Sequence, residues 1–186
     1  RCGSRMNISL GLDGLSGVFA CLIAVLWPLT ALYSFEYMKH EGKENKFFGY
    51  FSITYGVVAG VALSHSLITL YFFYELMTLA TLPLVMHAMD TRAIYAGKKY
   101  LLLSMAGAAM VFVSIISLHE YGTNLDFTWG GVIPQGLSHV ERRHLYGAFI
   151  LAFFGFGVKA AVVPFHSWLP AASVAPTPVS ALVHAV

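Results

Sequence analysis

Long apolar runs separated by short polar breaks divide the chain. Residues 14–35, 47–64 and 100–118 carry no charge at all, residues 67–89 carry one acid, and residues 145–164 carry one lysine. A last apolar run opens at residue 177 and continues to residue 186. A helix needs about 20 apolar residues to cross a bilayer, so each of the first five runs reads as a crossing and the sixth as the start of another. Runs of this length separated by short turns predict a helical bundle rather than a barrel, because only helices satisfy every backbone group within one segment. The expected fold class is all-α: a polytopic transmembrane helical bundle.

The breaks refine the picture. Residues 1–13 are mostly polar and read as frayed. Asp13, just before the first run, reads as a helix-start residue. Pro28 should kink the first span, and Pro83 should bend the third. Gly56 and Gly60 in the second span have the GxxxG spacing that favours close helix contact. Met105–Met110 of the fourth span is rich in small residues, which suits tight packing as well. Ser64-His65-Ser66 reads as a polar turn, and residues 119–144, with Gly130-Gly131 and Arg142-Arg143, as a loop on the membrane surface.

Composition supports the membrane reading. The 186 residues are 58% hydrophobic and 11% charged, with a mean hydropathy of +0.70. Soluble domains carry about 25% charged residues. A net charge of +2 is too small to suggest nucleic acid. Two cysteines make no disulfide framework, and Cys21, inside an apolar run, reads as a buried small hydrophobe. The chain begins at Arg1 and stops at Val186 within an apolar run, and reads as a piece of a longer parent. Basic residues fall six on one side (Lys39, Lys43, Lys46, Arg92, Lys98, Lys99) and four on the other (Arg1, Arg5, Arg142, Arg143), a mild bias placing the first set in the cytoplasm.

Two formally charged residues stand inside apolar runs: Glu75 and Lys159. A charge at mid-membrane costs about 2.5–3.5 kcal/mol on insertion scales, so each is a functional candidate. Pro164 follows Lys159 and removes an amide donor, which places the cation beside a helix break. Transporters use broken helices in this way to build ion sites near the midplane. The spans bearing Glu75 and Lys159 run in the same direction, and opposite charges in a low-dielectric interior hold each other ionised. Such a pair titrates as a unit and can act as a proton switch. His184, with an ordinary pKa of about 6.5, suits proton transfer. His166 and Trp168, just past the break, read as anchors at least as readily as transfer groups. His65, His87 and His119 lie near span ends and read as interfacial polar residues.

The stretch Gly157, Lys159, Pro164, His166, Trp168, Leu169, Pro170, followed by Ala175 to Leu182 and His184, resembles the seventh and eighth segments of the antiporter-like subunits. These are the NADH:quinone oxidoreductase/Mrp antiporter transmembrane family of respiratory complex I, Mrp-type cation/proton antiporters and membrane-bound hydrogenases. Tyr71 to Leu79 around Glu75 is similar to the family's fifth segment, and Lys99, Tyr100 and Ser104 match its K-Y-x-x-x-S pattern. Ala171 stands where many members have aspartate, which puts an acid at that turn in doubt.

The resemblance implies that the parent has roughly fourteen helices in two inverted repeats, of which this chain holds part of one, with a discontinuous helix. It implies that Glu75 and Lys159 form a proton-relay charge pair, with Lys99 and His184 as further relay members. It also implies a non-redox subunit that translocates protons, or exchanges them for sodium, next to other membrane subunits. No cofactor, metal or nucleic-acid partner is expected, and no CxxC, phosphate loop or HExxH occurs. Two alternatives stay open: a solute transporter with a broken-helix site, and a membrane cytochrome using some of the eight histidines as haem ligands.

Overall fold

The computed structural model describes residues 7–185, with the side chains of His184 and Ala185 outside that description. Among the described residues, seven helices follow in order: α1 (Gly14–Glu41), α2 (Glu44–Ala62), α3 (Leu67–Val85), α4 (Thr91–Tyr121), α5 (His139–Lys159), α6 (Trp168–Ala172) and α7 (Thr177–Ala185). A 3₁₀ turn, Phe165–Ser167, precedes α6. Among the described residues there is no strand, only the isolated bridges Leu10–Ser64 and Ser66–Asp126. Among the described residues, three helices, α1, α3 and α4, are long and apolar enough to cross a membrane by length and composition.

Local chemistry sets the helix starts. Asp13 accepts a hydrogen bond from the Ser16 amide while Ser16 bonds back to the Asp13 amide, a capping box. Those bonds hold the Asp13 carboxyl below its ordinary value. Ser138 and Glu141 repeat the device at α5, and Ser66 and Asp90 cap α3 and α4. Pro28 does not end α1, which runs on to Glu41. Pro83 stands two residues before the end of α3.

Several sequence expectations give way here. Residues 7–13 are held in place rather than frayed: Gly11 N–H donates to the Leu63 carbonyl, His65 N–H to Ser9, and Ser9 N–H to Thr69 Oγ1. Residues 119–144 do not all lie on the surface: α4 extends to Tyr121, α5 begins at His139, and Leu125 is buried against Val111 and Ile115. Cys21 is exposed rather than buried, because in a membrane helix an apolar run can face outward. Cys2 lies outside the described residues.

His87 is buried, with Nε2–H donating to the Gly42 carbonyl at 3.2 Å and its ring edge-on to Phe47. The carbonyl can only accept, so Nε2 carries the proton. Gly42 has φ 78 and ψ 175, a region essentially reserved for glycine, which lets the chain reverse between α1 and α2.

Two glycine contacts fix how the helices meet. Gly107 of α4 and Gly155 of α5 cross so closely that a Cβ on either would come within 2.8 Å of the other's carbonyl oxygen. In the GxxxG pair only Gly60 is used, against the ring of Phe73, while Gly56 faces open space. One core forms between α1, α2 and α7 around Trp27, Phe47, Phe51 and Val179. A second, around Tyr100, Val158 and Trp168, joins α4, α5 and α6. The space between these cores is the site.

Candidate functional site

Lys159 is the last residue of α5. The helix stops there by a cap, not at Pro164. Ala161 N–H donates to the Val158 carbonyl at 3.1 Å and Val162 N–H to the Gly157 carbonyl at 2.8 Å, with Ala161 at φ 52 between them. This is the Schellman pattern, with alanine where glycine is usual. Pro164 lies beyond it, in the turn before Phe165, after a cis Val163–Pro164 bond. The break expected at Pro164 therefore sits about one turn earlier along the chain.

Trp168 is 4% exposed, and its Nε1–H donates to the Val158 carbonyl at 2.6 Å. It satisfies one of the last helix carbonyls, and its ring rests 5.1 Å from that of Tyr100. Its place is that of an anchor. His166, in the 3₁₀ turn, is exposed.

The lysine ammonium is thus presented at a helix C-terminus, whose partial negative charge favours a cation. Its Nζ donates to Tyr100 Oη at 2.5 Å. The same Nζ lies 4.5 Å from the Tyr100 ring centre and 5.6 Å from that of Tyr74. The 4.5 Å value restates the hydroxyl contact and is not a second interaction. Tyr74 Oη–H donates to the Gly155 carbonyl at 3.0 Å, one turn before Lys159. That carbonyl is approached from two sides, by Gly107, where a Cβ would come within 2.8 Å of it, and by the Tyr74 hydroxyl.

Beside Lys159 a cavity of about 390 Å³ opens between the two cores. Trp27, Thr54, Tyr74, Thr81 and Tyr100 bring its polar atoms, and Phe51, Val179 and Leu182 much of its apolar wall. A space of this size has room for water. Trp27 Nε1 is buried with no hydrogen-bond partner among the described residues.

Glu75 lies on α3, close enough for the Lys159 charge to act on it. Among the described residues the two side chains form no direct ion pair, and Glu75 Oε1 is buried without a hydrogen-bond partner. Lys159 turns to Tyr100 instead. Lys99 is partly exposed and makes no side-chain hydrogen bond or ion pair among the described residues. His184 belongs to α7 by its backbone, and its side chain lies outside the described residues. The sequence reading did not pair Tyr100 with Lys159, nor Thr81 with Tyr100. Tyr100 stood out only within the K-Y-x-x-x-S pattern, and nothing local marks Thr81.

Among the described residues, no group of three or more His, Cys, Asp and Glu side chains could hold a metal ion. His65, His119, His144 and His166 are exposed, and His87 is engaged by Gly42.

Two family models match. "NADH:quinone oxidoreductase/Mrp antiporter, TM" covers residues 64–186, and "NADH-Ubiquinone oxidoreductase (complex I), chain 5 N-terminus" covers residues 3–48. The Na(+)/H(+) antiporter subunit A1 of Staphylococcus haemolyticus is 34% identical over 181 residues, 96% of this chain and 22% of that protein. Its counterpart from Staphylococcus aureus strain Newman is 33% identical over the same share. The chain spans about a fifth of the length of these curated relatives.

A chain in the structure of the Mrp complex from Dietzia sp. DQ12-45-1b superposes with a TM-score of 0.75 at 25% identity, over 95% of this chain and 19% of that one. A chain of the membrane-bound sulfane sulfur reductase, an archaeal respiratory membrane complex, shares the fold with a TM-score of 0.83 at 21% identity, over 97% of this chain and 37% of that one. With a family model over most of its length and a charged site inside an apolar bundle, this chain is an integral membrane protein belonging to the NADH:quinone oxidoreductase/Mrp antiporter transmembrane family.

Proposed function

We propose that the parent protein is a cation/proton antiporter-like subunit in which Lys159 and Glu75 carry the proton-handling charges. Lys99 and His184 serve as further relay members, and the activity is coupled to other membrane subunits of a larger complex. The observation that carries this reading is the Lys159 ammonium at the broken end of α5, held by a tyrosine hydroxyl and bordering a cavity. A lysine so placed has a hydrogen-bond acceptor inside an apolar bundle and room for water at its side. The carboxyl group of Glu75 lies within range of that charge without a direct ion pair among the described residues. Proton arrival at one group therefore changes the field at the other. The similarity to Na(+)/H(+) antiporter subunits points to sodium as the exchanged cation.

The test is transport by the full-length protein in native membranes. Glu75→Gln and Lys159→Met should each reduce proton-coupled sodium movement by about tenfold or more, the scale of losing a positioned proton-transfer group. Undiminished transport in both variants, at wild-type expression, would overturn the reading.

A further inference from the structure

We propose that Tyr100 is a positioning residue for Lys159, the centre of a directed hydrogen-bond chain that joins the lysine to α3 through Thr81.

The direction follows from counting protons. Thr81 Oγ1 lies 2.7 Å from the Met77 carbonyl, which can only accept, so the single Thr81 hydroxyl proton is committed there. Thr81 Oγ1 is also 2.7 Å from Tyr100 Oη, and that bond must be donated by the tyrosine. With its own proton directed at Thr81, Tyr100 Oη turns a lone pair toward Lys159 Nζ and accepts from it. The order is Lys159 Nζ–H to Tyr100 Oη, Tyr100 Oη–H to Thr81 Oγ1, Thr81 Oγ1–H to the Met77 carbonyl. Each link crosses to another helix or closes on α3: α5, α4, then α3.

The surroundings hold the chain in this geometry. Tyr100 is 4% exposed, and its ring is fixed by Trp168, itself tied to the carbonyl next to Lys159. Among the described residues, the ionisable groups facing the ammonium are Tyr74 and Glu75 from α3 and Tyr100 from α4, while α7 lines the cavity with Val179, Leu182 and Val183. On α1 and α2 the cavity wall is neutral, α6 carries no titratable residue, and His166 is exposed. The only hydrogen bond that the ammonium makes among the described residues is thus to a hydroxyl whose orientation a second helix sets. When Lys159 is charged, Tyr100 accepts. If it becomes a neutral amine, its two remaining N–H bonds can still reach Tyr100, but its new lone pair gains a donor there only if the tyrosine proton leaves Thr81. Thr81 is six positions beyond Glu75 on the same helix, so the lysine's protonation state is felt on the helix that bears the acid.

This proposal rests on the reading of Lys159 as the proton-handling cation, and its test separates the two. In the full-length protein in native membranes, a membrane-permeant acylating reagent would label Lys159 only in its neutral form, read by mass spectrometry across a pH series. Tyr100→Phe removes the acceptor of the ammonium, so the labelling midpoint should fall by about one pH unit. Thr81→Val frees the tyrosine proton to bond the neutral amine, so the midpoint should fall in the same direction by less. An unchanged or higher midpoint in Tyr100→Phe would overturn the proposal. If that variant does not fold, the absence of a downward shift in Thr81→Val would overturn it alone. Sodium-coupled transport is measured on the same membranes with Lys159→Met. If that variant transports normally while the midpoints shift, the function assigned to Lys159 fails and the positioning by Tyr100 stands.

Discussion

At Ala161 the backbone takes φ 52, a left-handed conformation that costs a residue with a Cβ about 1–2 kcal/mol. The cost is tolerated because the turn stops α5 at Lys159 and leaves the ammonium beside the cavity. Ala161→Gly should therefore raise stability by about 1 kcal/mol, read as a higher thermal midpoint in detergent; a lower midpoint would mean that the left-handed cap is not what ends the helix. Of the residues at the site, Lys159 and Glu75 could be picked out from sequence because an ionisable group in an apolar run is conspicuous. The pairing of Tyr100 with Thr81 could not, since it is a hydroxyl-to-hydroxyl approach between α4 and α3. The absence of a direct Glu75–Lys159 contact was equally invisible, because charge and order along the chain do not say which neighbour a flexible lysine selects.

At the scale of the helix, the crossing of α4 and α5 is set by two glycines that no local motif links. Gly107 and Gly155 face each other across the pair, whereas the GxxxG of α2 uses one glycine and leaves the other open. A Cβ at Gly155 would meet the backbone of α4, which cannot yield as a flexible side chain would. Gly155→Ala should cost about 1–3 kcal/mol, the range of overpacked cores. It should also disturb the Tyr74 bond to the Gly155 carbonyl. Gly56→Ala should be neutral or mildly stabilising, since alanine is the better helix former by about 1 kcal/mol. Thermal unfolding of the two variants side by side checks this; equal destabilisation would refute the assigned crossing. The ends of α5 show the same division. Its start is written locally in Ser138 and Glu141, but its end precedes the proline that seemed to set it.

For the molecule as a whole, the outer surface carries many large apolar side chains, Leu102, Phe149 and Phe153 among them. In water such a surface would drive aggregation; in lipid it is the correct solvent contact. Leu102, 71% exposed on α4, is the place to test this. Leu102→Lys should lower the membrane-inserted fraction, with an apparent insertion cost of about 2.5–3.5 kcal/mol. Unchanged insertion would argue that this face meets protein or water. The sequence by itself determined that the chain is a helical membrane bundle with one acid and one base inside it, because hydropathy and the cost of a buried charge act on each segment alone. Only the tertiary structure decided that the base is held by Tyr100, that a cavity lies beside it and that α4 and α5 touch at two glycines. Those outcomes depend on distances between residues far apart in the chain, and such distances exist only once the helices have packed.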